Sequence, residues 1–180
     1  MSQQVLSSPH AVGTAVTAVA RVIGSPGPAA FDRLHEVNWP VHDPESLRGV
    51  ALLAESRLSA EQPERLLADH QRLFLGGPGR PPVAPLAAPD LVAPDLAGLL
   101  ARVAVTGPPD LTAALRAWAA LLELPPGRED QAARHALVHD HLLTWGARCL
   151  SRVQLGAQSF CFQGVATLGL GLLRYAAAQQ

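Results

Sequence analysis

The sequence contains no lysine and only two cysteines, and each shortage excludes a class of protein. All 14 basic residues are arginines scattered along the 180 positions, and the formal net charge is −1, so there is no basic stripe for a phosphate backbone. The two cysteines, Cys149 and Cys161, lack CxxC spacing and cannot build a disulfide framework. We therefore expect no nucleic-acid partner and two reduced thiols in the core.

The pattern of an export signal or a membrane span is also missing. The start of the chain has no basic segment followed by a continuous apolar core, because Gly13 and Thr14 interrupt it and Arg21 follows. Residues 153–173 are uncharged and long enough to cross a bilayer, but four of their polar side chains would need partners in lipid. These are Gln154, Gln158, Ser159 and Gln163. We expect a cytoplasmic protein without stable membrane insertion, in which this stretch is a buried core helix.

Helical periodicity dominates what the sequence does contain. Apolar residues make up 48% of the chain and charged residues 16%, a composition typical of a compact globular protein. Apolar residues recur at helical spacing in most segments, whereas no five-residue run alternates as a strand does. The length is ordinary for one domain. The sequence therefore predicts an all-α fold, a single-domain helical bundle over residues 1–180.

Prolines and capping residues mark the first predicted helices. The first is predicted at residues 10–23 and the second at residues 29–37, with a Gly/Pro-rich break between them. Asp43 is a predicted N-cap, and Pro44 would occupy the first position of the third helix. That helix is predicted to bury Leu47, Val50, Ala51, Ala54 and Leu58.

The fourth helix is predicted to begin with a capping box formed by Ser59 and Gln62. Its apolar stripe consists of Leu66, Leu67, His70, Leu73 and Phe74. A later helix starts at about Asp110, and a break at residues 125–127 precedes the last two. The penultimate helix presents Val138, Leu142, Trp145, Cys149 and Val153 on one face. The last, at residues 160–178, is apolar nearly all round, which predicts a central position and is compatible with a monomer or a domain-swapped dimer.

The least regular segment, residues 76–94, is a loop rich in glycine and proline. It follows the helical stripe abruptly at Gly76-Gly77-Pro78-Gly79, and its prolines leave room for little besides turns and polyproline structure. A short helix is predicted after it, at residues 96–105. Long loops in compact domains are uncommon without a function, although prolines also stabilise a plain connector by restricting the unfolded chain. We interpret this loop as a recognition surface.

Motifs for catalysis or metal binding are weak. His135 and His139 have the i, i+4 spacing that places two imidazoles on one helix face, and Asp140 follows them. The chain nevertheless has no HExxH pattern, no third ligand at an obvious spacing, and no G-x-S-x-G elbow. We expect no enzyme, no metal and no cofactor, and a small enzyme using these three residues is the least favoured interpretation.

Three segments occur in an order and spacing that resemble one family. Residues 73–85 resemble a Leu-Phe-x-Gly-Pro-Gly segment, residues 108–110 resemble Pro-x-Asp-His, and residues 141–145 resemble His-x-x-x-Trp. Together they resemble the TorD/DmsD family of molybdoenzyme maturation chaperones, from about Val19 onward. The resemblance implies a non-catalytic helical chaperone. It would bind the twin-arginine signal peptide and the apo form of a molybdopterin oxidoreductase catalytic subunit, assist cofactor insertion and delay export.

The resemblance also implies a peptide-binding site drawn from all three segments. Asp110 carries over from the family's peptide-linked pair, but Leu111 stands where the family has histidine, and Asp110 suits an N-cap role equally well. Trp145 fits core packing better than peptide contact, and the ring of His141 one turn before it could touch it. The candidate contact residues are Leu73, Phe74, Gly77, Pro78, Pro109, Asp110, Leu111, His141 and Trp145.

Two further features bear on this site. The chain has an extra glycine in its Gly-Pro-Gly segment and lacks the aromatic-rich segment that usually follows. These departures imply either that the client is an unusual molybdoenzyme or that the client is bound mainly through apolar contacts, for which Val83 and Leu86 are candidates. Carboxylates such as Asp90 or Glu123 would join Asp110 in attracting arginines. The alternative hypothesis is a helical scaffold or regulatory protein that docks an unrelated partner through the Pro-rich loop.

Overall fold

The computed structural model describes residues 8–40, 43–90, 93–125 and 127–179, and within these ranges the chain is an all-helical bundle. Parts of three predictions lie outside them, namely the N-terminal segment before residue 8, loop positions 91–92, and Pro126 of the predicted break. The helices are α1 (Pro9–Gly24), α2 (Pro28–Glu36), α3 (Pro44–Leu58), α4 (Pro63–His70), α5 (Ala93–Arg102), α6 (Leu111–Glu123), α7 (Arg128–Ala136), α8 (Ala147–Gly156) and α9 (Phe160–Ala178). A π-helical turn at Gln71–Leu75 continues α4, and a π-helical segment at Leu137–Gly146 joins α7 to α8.

Prolines or side-chain caps begin several of the helices. Each of α1 to α4 has proline at its first position, where the missing N–H costs nothing and the fixed φ suits a helix. The Asp43 carboxylate accepts a hydrogen bond from the Ser46 N–H at 3.2 Å, and the Asp110 carboxylate accepts one from the Ala113 N–H at 2.8 Å. The predicted caps at Asp43 and Asp110 are therefore confirmed.

The central helix is α9, which packs against α3, α8 and α1. Among the described residues it is the one helix long and apolar enough to cross a membrane, and 61% of its most apolar window is buried inside the bundle. Polar groups around it find partners within the protein. Gln154 donates to the Thr167 hydroxyl at 2.9 Å, and Gln163 donates to the Ala157 carbonyl at 3.1 Å. The predicted core helix is thus present with the predicted bounds.

The face that α3 buries is not the predicted one. Leu47 and Leu58 are 55% and 80% exposed, whereas the buried residues are Ser46, Gly49, Leu53 and Ser56. A glycine of α9 explains the difference, because a Cβ added to Gly164 would lie 3.0 Å from the Gly49 carbonyl oxygen and 2.8 Å from Leu53 Cδ2. The two helices approach closely at Gly49 and Gly164, with Leu53 packed against the latter, and this contact rotates Leu47 and Leu58 outward.

The predicted capping box before α4 is not formed. Ser59 instead donates its hydroxyl backward to the Glu55 carbonyl at 2.7 Å, so it closes the end of α3. The N-cap of α4 is Gln62, and its side chain makes no capping bond to the helix. The chain reverses at Ala60, where φ is +48°. That turn leaves Ser59 on the preceding helix, out of reach of the first N–H groups of α4.

Both cysteines are free, buried thiols, as predicted. Burial raises the pKa of Cys149 to about 12. For Cys161 burial also raises the pKa to about 12, with a smaller contribution from Glu61 and Asp69. Neither side chain therefore forms a thiolate at neutral pH, and thiols are nucleophiles only in that form. The predicted face of the penultimate helix is buried throughout, at Val138, Leu142, Trp145, Cys149 and Val153.

A buried aromatic cluster connects α2, α4, α9 and the π-helical turn after α4. The ring of Phe162 lies 6.3 Å from that of Phe31, 6.1 Å from Phe74 and 5.9 Å from His70, centroid to centroid. His70 is 7% exposed, and its Nε2 donates to the Ile23 carbonyl at 2.6 Å. The cluster therefore fixes the end of α4 from which the Gly/Pro-rich loop departs.

The buried histidine of this cluster makes the stability depend on pH. Burial lowers the pKa of His70 below its usual value, and the Ile23 carbonyl and Asp69 only partly oppose that shift. The unfolded chain therefore binds the proton more tightly than the folded one. Stability should be complete above about pH 6.5, fall as the pH drops through the folded-state pKa, and level off below it.

Urea unfolding at pH 7.5 and at pH 5.5 measures this dependence. His70→Gln keeps a donor for the Ile23 carbonyl but cannot titrate, so we expect it to have a smaller difference between the two midpoints than the wild type. A residual slope should remain, because burial also lowers the pKa of His141. An unchanged slope in His70→Gln would remove His70 from this account.

Candidate functional site

The Gly/Pro-rich loop is held to the helices at four points. The Ala84 N–H donates to the Leu73 carbonyl at 2.8 Å, and the Ala88 N–H donates to the Pro109 carbonyl at 2.9 Å. The remaining two bonds are those from the Leu111 N–H to the Leu86 carbonyl at 2.9 Å and from the Cys149 thiol to the Pro85 carbonyl at 3.6 Å. Loop residues 86–88 thus lie antiparallel to residues 109–111, and the loop forms a platform beside the start of α6.

A glycine turn produces the exposed tip of this loop. Gly76 has φ +73°, a conformation that favours glycine, and a Cβ added there would collide with the Arg80 carbonyl oxygen. Gly77 and Arg80 pair across the turn through two backbone hydrogen bonds of 3.1 and 2.9 Å. Gly77 and Pro78 are exposed at the tip. The local sequence therefore folds back immediately after the stripe of α4 and presents a short, rigid projection.

Asp110 lies where the loop meets α6. One of its carboxylate oxygens caps the helix through the Ala113 N–H, and the other makes no hydrogen bond to a described residue. The side chain is half-buried. The residue thus combines the capping role with a carboxylate oxygen that remains available, and its backbone is bridged to Ala87 of the loop.

The two carboxylates proposed to join Asp110 lie in different places. Asp90 is exposed on the loop, three positions beyond the bridged Ala87. Glu123 ends α6, at about 20 Å from Asp110 for a helix of this length, and it accepts from His10 Nδ1 at 3.0 Å. The expectation that Glu123 lies near Asp110 is therefore wrong, because thirteen helical residues separate the two ends.

Five of the nine candidate contact residues belong to the core. They are Leu73, Phe74, Leu111, His141 and Trp145, all at most 5% exposed. The accessible ones are Gly77, Pro78, Pro109 and Asp110. The apolar stripe before the loop could either pack beneath the loop or form part of its exposed surface. Both arrangements give the same sequence pattern, so the sequence alone could not decide between them. In this fold the five are buried, and two of them, Leu73 and Leu111, bond the loop through their backbone groups.

The π-helical segment contains three buried nitrogens without a hydrogen-bond partner among the described residues, His139 Nε2, His141 Nδ1 and Trp145 Nε1. No ring contact joins His141 to Trp145, although the sequence allowed one. Burial lowers the pKa of His141, and the charges of Asp140 and Asp95 oppose that shift. Asp95, in the first turn of α5, is thus a neighbour of the segment that the sequence interpretation missed. No feature of the sequence marks this proximity, because it depends on how α5 packs against the segment.

The predicted histidine pair, His135 of α7 and His139 of the π-helical segment, is present but has no third ligand among the described residues. The rings of His135 and His139 stack at 4.4 Å with an interplanar angle of 19°. Asp140 is exposed beside them. Within residues 8–40, 43–90, 93–125 and 127–179, no group of three or more His, Cys, Asp or Glu side chains is arranged to hold a metal ion.

Comparisons with known proteins found no relative. No protein-family model, curated protein or solved structure matches the sequence. The geometry defines a helical bundle with a pinned Gly/Pro-rich platform and an available carboxylate at a helix start. Such an arrangement suits binding of an extended segment of another protein, where apolar contacts supply affinity and charged contacts supply selectivity.

Proposed function

We propose that this protein is a cytoplasmic maturation chaperone of the TorD/DmsD type. It would bind the twin-arginine signal peptide and the apo form of a molybdopterin oxidoreductase catalytic subunit, and act by binding, without catalysis or a cofactor of its own. The observation that carries the proposal is the loop bridged to Asp110 through Ala87, with one Asp110 oxygen free of hydrogen bonds to described residues. A carboxylate in this position suits a guanidinium group, which bonds carboxylates in a bidentate manner.

The charges around the platform support the same partner chemistry. Asp90, Asp95, Asp110 and Asp140 form no ion pair with any described residue. Asp110 belongs to the loop bridge and Asp90 lies three positions beyond its partner Ala87. Asp95 and Asp140 both act electrostatically on His141. An arginine pair arriving here would meet carboxylates that have no competing cation. Lysines would gain less, because an ammonium group lacks the planar fork that matches a carboxylate.

The apolar part of a signal peptide would pack on the accessible part of the platform. Val83 and Leu86 are half-buried, and Leu75 is 68% exposed beside the glycine turn. The buried Leu73, Phe74 and Leu111 then contribute indirectly, because they fix the backbone groups to which the loop is bonded. The proposed contact surface is therefore narrower than the nine candidate residues.

Calorimetric titration with twin-arginine signal peptides, beside twin-lysine controls, tests the proposal. We expect Asp110→Asn to weaken peptide binding by at least about tenfold, since charge-assisted hydrogen bonds are lost while the cap to Ala113 is kept. Asp110→Ala should add the loss of the cap, about 1 kcal/mol of stability. Asp43→Asn is the matched control, because it removes the same charge from the N-cap of another helix.

Two outcomes would contradict the proposal at different levels. Wild-type affinity in Asp110→Asn would show that Asp110 is not the recognition carboxylate. Failure of every twin-arginine peptide to bind the wild-type protein would remove the chaperone function itself. A pull-down that recovers one other stable partner and no molybdoenzyme would then favour a scaffold that docks its partner through the Pro-rich loop.

A further inference from the structure

A cavity lies among the start of α1, the last turns of α6 and α9, and α7 with the residues that follow it. Its volume is about 700 Å³, within the range of about 300–1,000 Å³ that is usual for small-molecule sites. None of the nine candidate peptide contacts lines it. Its wall residues Trp118 and Leu122 lie roughly 12 and 18 Å along α6 from Asp110. The cavity is therefore separate from the proposed peptide site.

Apolar and aromatic side chains form much of the cavity wall. Val12 and Trp118 are at most 3% exposed and connect the wall to the core of the bundle. Leu122, Tyr175 and Ala176 are half-buried and line the cavity from the ends of α6 and α9. An apolar group placed in the cavity would remove this surface from water, which is favourable. The wall therefore suits a ligand with an apolar body.

One guanidinium group, that of Arg134, lines the same cavity. Its Nη2 donates to the Leu121 carbonyl at 2.7 Å. Leu121 lies in the last turn of α6, where the carbonyls have no partner within the helix, so this bond fixes the direction of the arginine side chain. The buried Nε of Arg134 has no hydrogen-bond partner among the described residues. The group is thus held at the cavity with an unused donor.

The positive charge of Arg134 has no counter-ion among the described residues. No Asp or Glu occurs among the described residues that line the cavity. Asp130 has the i, i+4 spacing that would suit an ion pair with Arg134, but it pairs with Arg102, as does Glu129. A helix end does not explain the charge either, because α7 continues directly into the π-helical segment. The cavity therefore combines an apolar wall with one uncompensated cation, which attracts an anion.

We propose that this cavity binds a small monocarboxylate with an apolar body. The carboxylate accepts charge-assisted hydrogen bonds from Arg134, and the body lies against the wall formed by Leu122, Tyr175 and Ala176. Arg134 is the one arginine among the described lining residues, and its single charge matches one carboxylate. A phosphate group carries between one and two negative charges at neutral pH and would need further cations. This ligand is separate from the proposed signal peptide, and its site does not depend on that function.

Calorimetric titration of the full chain with cinnamate, cinnamamide and acetate tests the proposal. Cinnamate has both the charge and the apolar body, whereas the amide lacks the charge and acetate lacks the body. We expect saturable one-to-one binding of cinnamate, and binding of the other two that is weaker by at least about tenfold. Cinnamate should also raise the melting temperature, since it binds only the folded state. Absence of saturable cinnamate binding, or equal binding of cinnamate and cinnamamide, would overturn the proposal.

Three variants locate the binding in this cavity. Arg134→Gln should weaken cinnamate binding by at least about tenfold and leave cinnamamide binding unchanged. Arg128→Gln is the matched control, since Arg128 is exposed on the same helix and unpaired among the described residues. Ala176→Phe fills the cavity from α9 and should abolish the binding of both probes. Circular dichroism checks that each variant folds.

Two results with these variants would overturn the site. One is cinnamate binding that Arg134→Gln leaves unchanged or that Arg128→Gln weakens equally, because the arginine of the cavity would then have no specific role. The other is wild-type cinnamate affinity in folded Ala176→Phe, which would place the ligand outside the cavity. The second result does not depend on the folding of Arg134→Gln, in which the bond to the Leu121 carbonyl is altered.

Discussion

Replacing Asp69 with alanine should lower the free energy of unfolding by about 3–5 kcal/mol, the cost of removing one partner from a buried charged network. Asp69 is 5% exposed near the end of α4. One carboxylate oxygen accepts from the Gln158 N–H at 3.0 Å, the Ser159 N–H at 2.9 Å and the Ser159 hydroxyl at 2.7 Å. The other pairs with Arg72. Alanine would leave these donors and the arginine without their shared acceptor.

The position of this network explains why its loss should affect the whole bundle. The donors belong to the connection between α8 and α9, and Ser159 is itself the N-cap of α9, bonded to the Phe162 N–H. Arg72 also donates to the Gly156 carbonyl on the same connection. Asp69 therefore ties α4 to the start of the central helix. Without it, the connection loses bonds to residues about 90 positions away in the sequence.

Urea unfolding followed by circular dichroism measures the effect. Glu64→Ala on the same helix is the matched control; Glu64 is exposed and unpaired among the described residues, so its change should stay within about 0.5 kcal/mol. Asp69→Asn keeps one acceptor oxygen and the side-chain size, and should fall between wild type and Asp69→Ala. A loss below about 1 kcal/mol in Asp69→Ala would contradict the network interpretation.

Local chemistry explains which parts of the fold were predictable. The helix starts at Pro44 and after Asp110 depend only on a capping side chain and a proline or first turn, so they could be predicted without knowing the fold. The buried face of α3 depends on which helix packs against it, and Gly164 on α9 could not be assigned to it from the sequence. The predicted N-cap role of Ser59 was wrong for a related reason, because the turn at Ala60 places Ser59 at the end of α3 and away from the start of α4.

The candidate site likewise has features that local sequence predicts and features that depend on packing. The loop was identifiable from its own glycines and prolines, and Asp110 from its capping position. The bonds that hold the loop, such as those at Ala84 and Ala88, join backbone groups distant in sequence and leave no mark on the side-chain pattern.

Replacing Phe162 with alanine should lower the free energy of unfolding by about 3–5 kcal/mol, since a fully buried aromatic side chain is lost and a cavity remains. Phe162 has no exposed surface and contacts the rings of Phe31, His70 and Phe74. A loss of this size is a large share of the stability of a typical domain, about 5–15 kcal/mol. Phe160→Ala is the matched control, with the same change two positions earlier at a side chain that is 38% exposed.

The same variant tests whether the core positions the Gly/Pro-rich platform. Phe74 lies in the π-helical turn from which the loop departs, and the Leu73 carbonyl beside it accepts from the Ala84 N–H. Loss of the Phe162 ring should loosen this turn, so hydrogen exchange at the Ala84 amide should accelerate in Phe162→Ala and stay near wild type in Phe160→Ala. If Ala84 keeps its wild-type exchange rate while the unfolding midpoint falls, the aromatic cluster stabilises the bundle without positioning the loop. In that case the four hydrogen bonds to the loop are sufficient to hold the platform.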